Sequence, residues 1–174
     1  LIFSSTELLA SIQSSKNNFD IDNEGELTTE KISIDGSSFL AGKSFAIKSS
    51  LVYDDLKKVI FLKPSVIALK STRFNVKGDY RWKDKDLVDF TVAGEETDIQ
   101  TLLSLLPEST ASGFTKYKSE GDVYFNATLR GEISHKKNPS LSIDFGFKNA
   151  TIYHPDYKTK FEDASLQGSF ATSA

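Results

Sequence analysis

The chain has no cysteine and no methionine, and only two histidines, four prolines and one tryptophan among 174 residues. Without cysteine there is no disulfide framework, no thiolate metal site and no cysteine nucleophile. His135 and His154 each sit in turn-like surroundings, beside Lys136 and Pro155. Two isolated histidines lack the spaced third and fourth ligands of a zinc site, so both read as surface residues and no metal is expected. No apolar run approaches the ~18 residues of a membrane-crossing helix. Charge is nearly balanced, with 21 Lys and Arg against 24 Asp and Glu and a net charge of -3. A polybasic nucleic-acid binder is thereby excluded. The first residue is Leu1 rather than Met, which leads us to expect a section of a longer chain, with any anchor outside it. Domains run to ~100–200 residues, so residues 1–174 are expected to form a single β-rich domain.

What is present is alternation. Val123, Phe125, Ala127, Leu129, Gly131 and Ile133 share one parity, with Tyr124, Asn126, Thr128, Arg130 and Glu132 between them. Leu141, Ile143, Phe145 and Phe147 repeat the pattern, as do Phe74, Val76, Gly78, Tyr80 and Trp82, then Val88, Phe90 and Val92. Phe45, Ile47, Leu51 and Tyr53 form an earlier run, and Leu166, Gly168 and Phe170 a late one. Period two is the mark of strands with one apolar and one polar face. Turn chemistry occurs at Asp22–Gly25, Lys83–Asp86, His135–Pro139 and His154–Asp156. Parallel strands need crossovers of a dozen residues or more, and these intervals are hairpin-length. The expected fold is therefore mainly β, an antiparallel meander of about ten strands. Glycine recurs within the strands, a mark of bends and bulges that let a sheet curl.

Two helices are expected beside the strands. Ile99, Leu102, Leu103 and Leu106 fall at i, i+3, i+4 and i+7, behind a Thr97–Gln100 capping box and ahead of Pro107. Leu8, Leu9 and Ile12 suggest a second over Thr6–Ser14. One helix cannot cover ten strands. The sheet either closes on itself toward a sandwich or leaves part of its apolar face open, and open apolar patches above a few hundred Å² mark binding sites.

Catalytic chemistry finds little support. Gly42-Lys43-Ser44 resembles the end of a phosphate loop, but Phe45-Ala46-Ile47-Lys48 continues as a strand and supplies no helix N-terminus for phosphate. No G-x-S-x-G elbow occurs. The carboxylates Glu95, Glu96 and Asp98 suit the start of a helix. No catalytic residue and no cofactor is assigned, and a non-enzymatic role is expected. Three functions remain: a lipid groove, a β-sandwich binding or adhesion module for glycans, and a hydrolase whose site residues are dispersed along the chain.

The second half is the informative part. The stretches "TVAGEETDIQTLLSLLPES", "YKSEGDVYFNATLRGEISHKKNPSLSIDFGFKNATIYHPD" and "FEDASLQGSF" follow one another in order. Gly94 ends a strand before the Asp98–Leu106 helix pattern; Gly121-Asp122, Gly131, Asn138-Pro139 and Phe147 with Ala150 and Thr151 come next. This series resembles the AsmA-like proteins of Gram-negative envelopes, relatives of TamB and of the bridge-like lipid-transfer proteins. The likeness runs from about Phe74 to the end and is weaker before it.

The resemblance implies a curved, taco-shaped antiparallel sheet with an apolar lining. It implies a periplasmic section of a membrane-anchored envelope protein that moves phospholipid and supports outer-membrane assembly. The partner would be phospholipid or another acyl-chain lipid, with membrane contact made through the rest of the parent chain. The family carries no catalytic residues over. The clean parities give the expected lining: Phe74, Val76, Val123, Phe125, Leu129, Ile133, Ile143, Phe145, Phe147 and Phe170.

Overall fold

A computed structural model of the protein describes residues 2–34, 37–39, 42–70, 72–97, 101, 118–154 and 156–172. Ten strands follow one another: β1 (Ile2–Ser15), β2 (Asn18–Ile34), β3 (Ser37–Phe39), β4 (Lys43–Asp54), β5 (Val59–Leu69), β6 (Thr72–Arg81), β7 (Leu87–Thr97), β8 (Lys118–Glu132), β9 (Ser140–His154) and β10 (Thr159–Ala171). They form one open, curved sheet in the order β1-β2-β4-β5-β6-β7-β8-β9-β10, with short β3 paired to the end of β2. The sheet pairs are all antiparallel, as the mostly hairpin-length intervals predict, and β7–β8 is antiparallel as well although its strands end at Thr97 and begin again at Lys118.

The register aligns the apolar parities of successive strands into rungs. Residues directly opposite in an antiparallel pair point to the same face. One rung reads Leu8, Gly25, Ile47, Ile67, Phe74, Gly94, Phe125, Phe145, Gly168 and crosses β1, β2 and β4 through β10. A second reads Ile12, Ile21, Leu51, Leu62, Gly78, Phe90, Leu129, Leu141. A third, nearer one end of the strands, reads Ser14, Phe19, Tyr53, Ile60, Tyr80, Val88, Gly131. The opposite face is mostly polar and carries cross-strand ion pairs: Lys48–Glu24 at 3.3 Å, Lys63–Asp20 at 3.0 Å, and Arg130 on both oxygens of Asp89 at 2.9 and 3.0 Å. Exposed pairs of this kind are screened by water and add little stability. Their main consequence is to fix which face meets water.

Bulges keep the apolar face continuous where the sequence changes parity. β5 has one extra residue at Lys63-Pro64, between the Leu51–Leu62 and Lys48–Val66 pairs. The Ser65 hydroxyl replaces lost ladder bonds, accepting from the Ser50 N–H at 3.2 Å and donating to the Lys63 carbonyl at 2.7 Å. Proline is tolerated inside a sheet at such a bulge. Even-numbered Ile60 and Leu62 and odd-numbered Ser65, Ile67 and Leu69 thereby share one face. In β9 and β10, Asn149 and Asp163 take left-handed backbone angles (φ 51° and 52°) at register shifts. Asn and Asp are the side chains that accept that conformation most readily.

Several glycines among the described residues lie on the apolar face, among them Gly25, Gly78, Gly94, Gly131 and Gly168. A missing side chain lets a neighbouring ring lean into its place. Gly94 stands between Phe74 and Phe125, and the two rings, two strands apart, meet over it with centroids 5.7 Å apart. Around them Leu69, Phe74 and Val76 form the buried cluster, with Phe45, Leu62, Ile67, Val92 and Phe125 packed against it.

Two sequence expectations are corrected. Thr6–Ser14 is not helix but part of strand β1, which pairs with β2 from Ser15↔Asn18 outward. The Lys16-Asn17 turn brings β2 back alongside, and the ladder outweighs a local i, i+4 pattern too short to hold a helix alone. Asp22–Gly25 is likewise not a turn but the middle of β2, paired on both sides. Its Asp/Asn/Glu/Gly chemistry is a strand alternation in which Asn23 and Gly25 take the apolar-face positions. The expected helix Ile99–Leu106 lies outside the described residues except for Thr101, which is helical and buried.

Candidate functional site

The apolar face is the feature that asks for a function. Its middle is closed: Phe74 is 5% exposed, and Val76 and Val123 are also buried. Away from the middle it opens. Phe125, Leu129, Ile143 and Phe147 are half-buried, Phe145 is 39% exposed, and Leu166, opposite Phe147 on β10, is 51% exposed. On the other flank Leu8, Ile12 and Phe19 are exposed, Ile12 at 64%. Among the described residues no second sheet covers this face. The accessible surface is 11825 Å² for a 19.3 kDa chain, against about 8,500 Å² for a compact monomer of that mass.

The structure places nine of the ten expected lining residues in strands, and the register puts them together. Phe74 and Val76 lie on β6; Val123, Phe125 and Leu129 on β8; Ile143, Phe145 and Phe147 on β9. Phe170 of β10 stands opposite Ile143 in the backbone register. Ile133 falls just past the end of β8, 41% exposed, with its N–H on the Asp86 carbonyl at 2.8 Å. It belongs to the turn at the end of the face rather than to a rung.

In the first half of the face the sequence reading caught the Phe45, Ile47, Leu51 and Tyr53 run of β4 but missed β2 and β5. Phe19, Ile21 and Leu27 of β2 alternate in period two, a usable signal hidden by the turn-like Asp22–Gly25. Ile60, Leu62, Ile67 and Leu69 of β5 change parity at the Lys63-Pro64 bulge, which no period count follows.

The third rung gives one end of the face a different chemistry. Phe19 and Tyr53 have ring centroids 5.8 Å apart, Tyr53 and Trp82 5.9 Å, and Tyr80 and Trp82 5.5 Å, the last two pairs stacked at 23° and 22°. The Tyr53 hydroxyl donates to Asp55 Oδ1 at 2.8 Å, and Lys58 Nζ donates to the same oxygen at 2.7 Å. The Asp55 carboxyl is held below its ordinary range first by the Lys58 hydrogen bond and then by that of Tyr53. The Tyr53 hydroxyl is pushed up, chiefly by the Asp55 hydrogen bond, and the Lys58 ammonium is raised by the same carboxylate. Burial pushes the Tyr80 hydroxyl up, with Asp86 adding to it. The Trp82 N–H donates to the Lys58 carbonyl at 3.0 Å, tying the β4–β5 turn to the end of β6.

The remaining chemical candidates do not assemble. Lys43 begins strand β4 after a Gly42 turn, so no helix follows the Gly42-Lys43-Ser44 sequence. His135 is exposed in its turn, and His154 packs against Tyr157 with centroids 4.6 Å apart. Among the described residues no group of three His, Cys, Asp or Glu side chains is placed to hold a metal ion, and no helix is long and apolar enough to cross a membrane.

No family model matches the chain, and no curated protein or solved structure is significantly similar to it.

Proposed function

We propose that the apolar face binds the acyl chains of lipid, and that the protein is a non-enzymatic lipid-carrying section of an AsmA-like envelope protein acting in the periplasm. The observation that carries this reading is the rung Leu8 to Gly168: nine strands present one continuous apolar row, half-exposed on both flanks of a buried centre. Burying an acyl chain releases ~0.8 kcal/mol per CH₂, on the order of 10 kcal/mol for a whole tail. A row of Phe, Ile and Leu side chains supplies that without polar contacts that would hold one lipid in one place. A surface of this kind lets a lipid bind reversibly and slide, which is what transfer between membranes requires.

Transfer is measurable directly. Donor vesicles carrying a self-quenched fluorescent phospholipid are mixed with acceptor vesicles, with and without the protein. We expect the protein to accelerate dequenching, and Phe145→Asp, on an exposed stretch of the face, to abolish the acceleration while the chain stays folded. No acceleration by the unmodified protein would count against a transfer role.

A glycan-binding or adhesion module is the second reading, favoured by the stacked Tyr53, Trp82 and Tyr80 rings. Flat aromatic surfaces with polar tips also suit sugar rings. The two readings part on Phe145, which lies far from those rings along the sheet and matters only for lipid.

A further inference from the structure

Among the described residues β1 and β10 each pair on one side only, so each leaves a row of backbone N–H and C=O groups along its outer side. Charge, proline and bulges ordinarily blunt such edges, because a bare edge is a template for another strand. β10 is blunted. It carries Lys160, Glu162 and Asp163, and its register shifts twice, between Phe161 and Ala164 and between Ala164 and Leu166. Its regular stretch, residues 166–171, is short and contains Gly168, and glycine inside a strand weakens it.

β1 is not blunted. Its register with β2 runs without a shift from Glu7 to Ser15. Within that stretch residues 8–15 contain no charge, no proline and no glycine. Every one of them is exposed, Leu8 at 44%, Leu9 at 67% and Ile12 at 64%.

The sequence of β1 also suits one partner, a second β1. With Ala10 opposite Ala10 of a second copy, Leu8 meets Ile12 and Leu9 meets Ser11. Glu7 then meets Gln13 rather than another carboxylate, so no like charges stand opposite one another in this stretch. Opposite residues share a face. Leu8, Ala10 and Ile12 already stand with Gly25, Asn23 and Ile21 of β2, so the apolar faces of the two copies join on one side. The seven facing residues exchange about six to eight backbone hydrogen bonds. β1 on β1 uses the same surface twice and closes at two copies, whereas β1 on β10 would run on as an open filament. The charges and bulges of β10 oppose the filament.

We propose that two copies of the chain pair through β1, antiparallel and centred on Ala10, into one longer sheet. Sedimentation of the full chain over about 1 μM to 1 mM tests it, with half-dimerisation expected near ~10 μM, because small interfaces are weak. Leu9 and Ser11 lie on the polar face opposite Glu24 and Asp22, so charges placed there leave the acyl-chain reading untouched. Leu9→Lys, Ser11→Lys sets lysines toward those two carboxylates within the chain and lysine against lysine between copies. It is expected to stay folded and to weaken dimerisation about tenfold or more. Leu9→Lys, Ser11→Glu sets opposite charges between copies and is expected to dimerise within about threefold of the unmodified chain.

The chain has no cysteine, so one added thiol reads the register. Ala10→Cys is expected to form a disulfide-linked dimer on mild oxidation, since opposite Cα atoms lie about 4.5–5.5 Å apart, within disulfide reach. Ser14→Cys, on the same strand and also exposed, is expected not to, its two copies lying roughly 25 Å apart. A monomer at every concentration overturns the proposal, as does an open-ended series of larger species. A dimer indifferent to the double lysine variant, or equal cross-linking of the two cysteine variants, overturns the β1 interface. A different protein held at β1 in place of the second copy, seen as a heteromer by native mass spectrometry, overturns the choice of partner.

Discussion

Gly121 shows how closely single residues set this sheet. It sits at the β8 register shift with φ 149°, and a Cβ there would come 2.7 Å from Ala150 Cα and 2.8 Å from Ala150 Cβ. Ala150 is fully buried and cannot yield. We expect Gly121→Ala to cost ~1–3 kcal/mol of unfolding free energy, from overpacking and a disfavoured backbone angle together. A urea titration measures it, and an unchanged midpoint would mean that β9 moves aside. Phe125 is the contrasting case. It is half-buried and meets Phe74 over Gly94, so Phe125→Ala loses a ring contact as well as apolar burial. A cost of ~1–3 kcal/mol is expected, below the ~3–5 of a fully buried Phe. Most of the residues that matter on the face were legible from parity alone, because side-chain direction in a strand has period two. Gly94 was read as a strand end, yet β7 runs on to Thr97, and its place as the gap that two rings fill was not legible, since that depends on what the neighbouring strands place opposite it.

At the scale of elements, pairing overrides local pattern. β1 reads as a weak helix through Leu8, Leu9 and Ile12, yet becomes a strand once β2 lies beside it. β5 loses its period at Lys63-Pro64, so half of its apolar positions were invisible to a fixed parity. The turns are more legible, and they carry the titratable groups. Asp54 is held below the usual carboxylate range first by the Lys57 backbone N–H at 2.9 Å and then by the Lys57 ammonium. Asp55 is lowered by Lys58 and Tyr53. A carboxyl depressed in the folded state contributes stability above its unfolded pKa, near 4, and loses it as pH falls through the folded value. The β4–β5 turn is therefore expected to loosen below about pH 4, and Trp82, bonded to Lys58, should report this in its emission. Asp54→Asn should flatten the acid limb of stability against pH; an unchanged limb would place the acid sensitivity elsewhere. The outer strands differ from the middle. β1 and β10 each pair on one side only, while β5 to β7 enclose the buried cluster. Hydrogen exchange is expected to be slowest in β5–β7 and fastest in β1 and β10. Uniform protection across the sheet would contradict that gradient.

At the scale of the whole molecule, the described residues form a single layer, and the surface is accordingly large. A compact chain of this length has a radius of gyration of about 16 Å. Small-angle scattering is expected to give a larger value, and a value near 16 Å would mean that the sheet closes on itself in solution. The antiparallel meander was legible from spacing, whereas its openness was implied by the resemblance and not by spacing or parity. Whether an apolar face is covered depends on curvature and on the absence of a facing layer, neither of which alternation encodes. That openness is the ground of the proposed lipid binding, since nothing among the described residues covers Phe145, Leu166 and Ile12. Native mass spectrometry of the chain purified from a bacterial host, with lipid extraction of the same sample, tests this most directly. We expect phospholipid bound at a defined stoichiometry, and its loss in Phe125→Asp or Phe145→Asp. A lipid-free monomer that takes up no added fluorescent phospholipid would contradict the lipid-binding face.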